Sequence, residues 1–197
     1  MATLAMLVAA RGLAEILAER RTLQVGDRDF ITFMNLDIIG VDMLIWIFAI
    51  VAALGWVLLN RTTFGRRTVA IGGNREAARL AGINVKRHLM WLYAISGLCA
   101  GIAGVMIVGR TTAGSSTNGT LYELDAIAAV VVGGTLLVGG RGTITGTVFG
   151  VLIFATLTNV FVQNNLNSSA QAVVKGVIIV VAVLLQQRFA KPTGRSS

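Results

Sequence analysis

Residues 43–59 read "MLIWIFAIVAALGWVLL", an uncharged apolar run held between Asp42 and Arg61. Coiled into a helix, such a run approaches the roughly 20 residues needed to cross the hydrocarbon core of a bilayer. Two more stretches repeat the pattern. Residues 89–109, "LMWLYAISGLCAGIAGVMIVG", follow Lys86, Arg87 and His88, with Trp91 and Tyr93 placed for an interfacial aromatic belt. Residues 143–162, "TITGTVFGVLIFATLTNVFV", are again uncharged. The whole chain agrees with them. Of its 197 residues 55% are hydrophobic and 13% charged, against about 25% charged in a soluble domain, and mean hydropathy is +0.76. These features predict an all-α, polytopic transmembrane helix bundle.

Two further spans are expected at the ends. Residues 170–187 contain Lys175 about one and a half turns inside, from where its amine can snorkel to the surface. Residues 1–18 carry Arg11 and Glu15 one turn apart on the same face and are read as a crossing helix. The stretch 126–140, "AIAAVVVGGTLLVGG", is different. Its length as a helix is about 22 Å, and Gly133–Gly134 and Gly139–Gly140 interrupt it. It is read as one short, broken or re-entrant segment, a backbone form tolerated at membrane depth only when protein covers it or it lines a cavity. Residues 1–187 thus form a single membrane domain, and 188–197 a cytoplasmic tail.

Net charge is +8, and its placement favours a membrane protein over a nucleic-acid binder. Residues 61–88 hold Arg61, Arg66, Arg67, Arg75, Arg79, Lys86 and Arg87 against Glu76 alone, whereas 163–169, "QNNLNSS", carries no charge. Basic segments alternating with neutral ones follow the positive-inside rule, which puts 61–88 and the tail in the cytoplasm. With one cysteine, Cys99, and one histidine, His88, the chain offers neither a disulfide framework nor the common zinc ligand sets.

Small residues recur at helical spacing. Gly97 and Gly101, and Gly142, Gly146 and Gly150, fall four apart; in lipid such faces let helices approach closely. Within the basic loop, "IGGNREAARLAGI" (71–83) reads as a short water-facing helix with Asn74 as N-cap and Gly82 as C′ residue. Two turns are too few to be stable alone, since isolated helices need about 12–15 residues, so the membrane domain or a partner must hold it.

Candidate chemistry is sparse. Neither glycine run has the spacing of a phosphate loop or dinucleotide fingerprint, so no cofactor is expected on this chain. Glu123 and Asp125 are read first as interface carboxylates or partners of Arg141, and second as path-forming groups. Asn159 sits within a span beside Thr156 and Thr158; the threonines are assigned to packing, Asn159 to a polar path. His88 is read as a loop-end surface residue.

Taken together, "AIGGNREAARLAGINV" (70–85), "SGLCAGIAGVM" (96–106), "YELDAIAAVVVGGTLLVGGRGTITGTVFG" (122–150), Asn159 and "VVKGVIIVVAVLL" (173–185) resemble the permease subunits of bacterial ABC sugar importers of the ribose/xylose type. The resemblance implies a multi-pass inner-membrane permease subunit for a monosaccharide, not itself an enzyme. It implies a second permease subunit, a cytoplasmic ATP-binding subunit that carries ATP and Mg, and a periplasmic sugar-binding protein. Gly72, Gly73, Asn74, Glu76, Ala77, Ala78 and Gly82 match the family's cytoplasmic stretch and, with Arg79, are expected to couple to the ATPase. Asp125, Gly133, Gly134 and Asn159 are the expected path residues. Family members have further spans before the position of Met1, so the chain is expected to be the C-terminal portion of such a permease, and "IIGVDML" (38–44) lacks the proline common there. A non-transporting truncated paralogue, and a permease for branched-chain amino acids or another small polar solute, are the alternatives.

Overall fold

In the computed structural model, residues 2–19, 21–120 and 122–189 are described. They are helical through most of their length, in the order α1 (Ala2–Leu17), α2 (Arg28–Met34), α3 (Met43–Arg61), α4 (Thr63–Gly73), α5 (Arg75–Leu80), α6 (Val85–Thr111), α7 (Tyr122–Val132), α8 (Ile144–Gln163) and α9 (Ser168–Phe189). Among them α3, α6 and α8 are long and apolar enough to cross a membrane. α1 has 16 residues, about 24 Å of helix. The described residues divide into two units, those within 2–51 with 90–120, and those within 52–89 with 122–189, the boundaries falling inside α3 and α6. The tail residues 190–197, with Lys191 and Arg195, lie outside the described residues.

In the first unit, short strand pairs organise the helix ends. β1 (Leu23–Gln24) pairs antiparallel with β4 (Ala113–Gly114), Leu23 opposite Gly114. Val25 N–H donates to Thr112 O at 3.0 Å beyond the pair. β2 (Asp37–Ile38) turns through Ile39 and Gly40, both at positive φ (59° and 74°), into β3 (Val41–Asp42). Two left-handed residues in a row are what a two-residue hairpin of primed type requires. The hairpin delivers the chain into α3: Asp42 Oδ1 accepts from Leu44 N–H at 3.0 Å, and Met43 N–H donates to Leu36 O at 3.1 Å. This turn occupies the place where the proline-free "IIGVDML" stands. α2 is capped by Asp27, whose Oδ1 accepts from Asp29 N–H at 3.0 Å, and its buried Met34 closes on Gly109 of α6.

In the second unit, the basic loop is almost wholly folded. Arg61, ending α3, lies 5.6 Å above the Trp56 ring, a cation–π anchor suited to the membrane interface. α4 begins at its N-cap Thr62, and Gly65 packs so closely on the Leu59 carbonyl that no Cβ fits. His88 is not on the surface. It is 7% exposed, with its ring 4.3 Å from that of Phe64 and its Nε2 2.9 Å from Thr68 Oγ1. The Thr68 hydroxyl proton already goes to Phe64 O at 2.9 Å, so that oxygen accepts from His88 Nε2–H. A polar clasp thereby ties α4 to the start of α6.

The segment 126–140 resolves into helix, break and turn. α7 ends in a Schellman motif: Gly134 takes φ +86°, its N–H donates to Val131 O at 2.9 Å, and Thr135 N–H donates to Val130 O at 3.1 Å. Glycine suits the left-handed C′ position because it has no Cβ to collide. The turn that follows, through Gly139 and Gly140, touches the end of α4 at Gly72 and Gly73. Thr143 then caps α8, its Oγ1 accepting from Gly146 N–H at 3.2 Å.

Candidate functional site

The site is built on three contiguous parts of the second unit: the loop helix α5, the glycine turn beside it, and the half-length helix α7. Asn74 serves twice, closing α4 with its backbone and capping α5 with its side chain, whose Oδ1 accepts from Ala77 N–H at 3.0 Å. At the other end Gly82 stands at φ +81°, with Gly82 N–H on Arg79 O at 3.0 Å and Ile83 N–H on Ala78 O at 3.1 Å. Ala78 and Ile71 are buried. Arg75, Glu76, Ala77 and Arg79 face outward, and Arg79 meets Glu76 at 3.7 Å with both side chains about three-quarters exposed. Such a pair contributes little. Leu80, absent from the sequence-based set, is 86% exposed. The helix thus presents a mixed charged and apolar face, and its own domain grips it mainly through Ala78.

Gly72 and Gly73 do not join that outward face through side chains. They meet the turn after α7 backbone to backbone: a Cβ on Gly72 would stand 2.6 Å from Gly140 N, and one on Gly139 would stand 2.8 Å from Gly72 O. The same economy continues along α7. A Cβ on Gly133 or on Gly146 would collide with the backbone of the other residue, and one on Gly150 with the Ala129 carbonyl. Gly142 lies before the Thr143 cap, where a Cβ would meet Thr135 Cγ2 at 2.9 Å. Gly97 and Gly101 on α6 have nothing among the described residues within 4 Å of such a Cβ.

Residues 129 and 133 matching 150 and 146 make α7 antiparallel to α8, and this register sets Asp125 level with Phe154. Ala128, Ala129 and Phe154 form the buried cluster, flanked by Ile178 and Ile179 of α9. One turn earlier, Lys175 Nζ donates to Asp125 Oδ2 at 2.6 Å. Lys175 therefore does not snorkel, and Asp125 does not pair with Arg141. The lysine is 17% and the aspartate 31% exposed at the side chain. Asn159 is exposed and accepts at Oδ1 from Gln163 Nε2–H at 3.1 Å within its own helix. Thr156 and Thr158 likewise donate to Leu152 O and Phe154 O in α8, at 2.8 and 2.9 Å, so these hydroxyls bond their own helix.

Comparison with known proteins gives this arrangement a family. The sequence matches the family described as "Branched-chain amino acid transport system / permease component" over residues 1–183. The chain belongs to this permease family. Among relatives of the chain, the ribose import permease protein RbsC of Bacillus subtilis is 51% identical over 133 residues, 68% of this chain and 41% of that protein. The L-arabinose transport system permease protein AraH of Escherichia coli K12 is 40% identical over 185 residues, 94% of this chain and 56% of that protein. The ribose import permease protein RbsC of the same strain is 39% identical over 191 residues, 95% and 60% respectively. The chain spans about half the length of these relatives. No solved structure matches the chain. Family membership and the three apolar helices together make it an integral membrane protein.

Proposed function

We propose that the chain acts as a transmembrane permease subunit, or the C-terminal portion of one, in an ATP-driven importer of a monosaccharide in the bacterial inner membrane. The observation that carries this reading is the similarity to ribose and L-arabinose permeases along nearly the whole chain. α5 supports it: a capped helix of six residues with an outward face of Arg75, Glu76, Arg79 and Leu80 has the form of a lever for another protein to hold. That protein is a cytoplasmic ATP-binding subunit, which carries ATP and Mg; this chain supplies no catalysis. A second permease subunit completes the path, and a periplasmic sugar-binding protein delivers the solute. Motion imposed on α5 passes through Gly72 and Gly73 to the 139–140 turn and so to α7 as a rigid-body shift. Asp125, Gly133 and Gly134 shape the path in this reading, with Asn159 towards its outer end.

Reconstitution in liposomes with the ATP-binding subunit and binding protein tests it. A permease gives solute-dependent stimulation of ATP hydrolysis and accumulates the solute; a non-transporting scaffold gives neither. The family description favours a second reading, import of a branched-chain amino acid. Uptake of labelled ribose or arabinose that unlabelled leucine fails to compete away excludes it.

A further inference from the structure

We propose that Lys175 is a positioning residue of the translocation path: it pairs with Asp125 at mid-depth and turns a bare carboxylate into a net-neutral polar step suited to an uncharged, hydroxyl-bearing solute. The inference rests on the permease reading above.

The depth follows from register. Asp125 lies level with Phe154, the eleventh of the twenty residues of α8, and α8 is long enough to span the bilayer. Lys175 is the eighth residue of α9, about 10 Å along its axis, and its amine is turned to Asp125 instead of to the helix end. Ionised groups at this depth are costly and mark solute or ion pathways when they persist. Here the two charges face each other at 2.6 Å, which offsets part of that cost.

The pair is also not sealed. Oδ1 of Asp125 has no hydrogen bond among the described residues, and nearly a third of the side chain is open. The lysine uses one of its three donors on Oδ2. An acceptor and two spare donors side by side match hydroxyl groups, which both donate and accept. Ala128 and Ala129, one turn on from Asp125, and Ile178, one turn on from Lys175, belong to the apolar cluster beside the pair. Lys175 thus fixes which oxygen of Asp125 remains available, and α7 is held to α9 by the same contact.

Three variants in the assembled transporter test this. Lys175→Met leaves the carboxylate bare, and uptake at equal membrane abundance should fall about tenfold or more, the range for losing a charged hydrogen-bond partner. Asp125→Leu with Lys175→Met restores thermal stability in nanodiscs relative to the lysine variant, because it leaves no unpaired charge, but raises the KM for solute about tenfold. Exchange, Asp125→Lys with Lys175→Asp, recovers stability by rebuilding the pair. Strictly additive stability losses in the double variants overturn the proposal, because they mean the residues do not pair. An apolar double variant with the unaltered KM overturns it too, since the pair is then structural alone. A wild-type chain that moves no solute with its partners defeats the permease reading, and the proposal with it; the stability cycle reads pairing separately.

Discussion

The backbone of Gly72, at the end of α4, lies directly on that of Gly140, in the turn between α7 and α8. A methyl group at residue 72 would come within 2.6 Å of the Gly140 nitrogen, whereas one at residue 73 would stand 4.0 Å from the Gly140 Cα. Adjacent glycines thus make opposite forecasts. Gly72→Ala should destabilise by about 1–3 kcal/mol, the usual cost of overpacking, and should lower solute uptake per ATP hydrolysed. Gly73→Ala should leave both near the wild-type values. Equal responses from the two would show that this contact transmits nothing.

Asn74 should be replaceable only by residues that can cap. Asn74→Ala removes the acceptor for Ala77 N–H and should cost about 1 kcal/mol, read as faster hydrogen exchange of the amides of 76–78. Asn74→Asp and Asn74→Ser should retain most of the protection. Unchanged exchange in the alanine variant would mean that the helix is held from elsewhere.

The buried clasp between His88 and Thr68 makes a third forecast. Thr68→Val keeps the shape but leaves His88 Nε2–H without its acceptor, a loss of about 1–3 kcal/mol for a buried group. Thr68→Ser should retain the bond. The check is the thermal midpoint of the purified protein in detergent, which should drop for valine and hold for serine.

Sidedness can be read by labelling in a Cys99→Ala background. A cysteine at Ala77 should react with a membrane-impermeant maleimide only in inside-out vesicles, and one at Asn165 only in intact spheroplasts. Both positions are exposed. Reversal of the two patterns would invert the assignment of 61–88 to the cytoplasm.

A last pair of substitutions separates open from closed glycines. Gly97→Ala meets nothing within 4 Å among the described residues and should shift stability by no more than about 1 kcal/mol, in the direction helix propensity favours. Gly150→Ala drives a methyl into the Ala129 carbonyl and should lower the thermal midpoint markedly, by the overpacking cost of about 1–3 kcal/mol or more. Matching midpoints would remove the close seam between α7 and α8.

Legibility in the sequence followed the range of the forces involved. The cores of α3, α6 and α8 were readable because an uncharged run near 20 residues has few other uses. Asn74 and Gly82 were readable because caps are local: donor and acceptor lie within five residues. Lys175 was misread because its partner is 50 positions away, and snorkelling is the reasonable default for a lysine with no visible counter-ion. His88 was misread for a like reason; the loop end it occupies folds back on α4. The two strand pairs, each two residues long, leave no periodic trace. The contact of Gly72 with Gly140 is the hardest to foresee, since residues without side chains announce flexibility, not what they touch.

Because the facing atoms that collide at Gly146 and Gly150 are the main-chain carbonyls of Gly133 and Ala129, no side-chain exchange on the facing segment can make room for a bulkier residue there. A selection for second-site revertants of Gly146→Ala or Gly150→Ala should accordingly return true reversions and few compensating changes at 129 or 133. In genetic terms this seam is a lock with no second key.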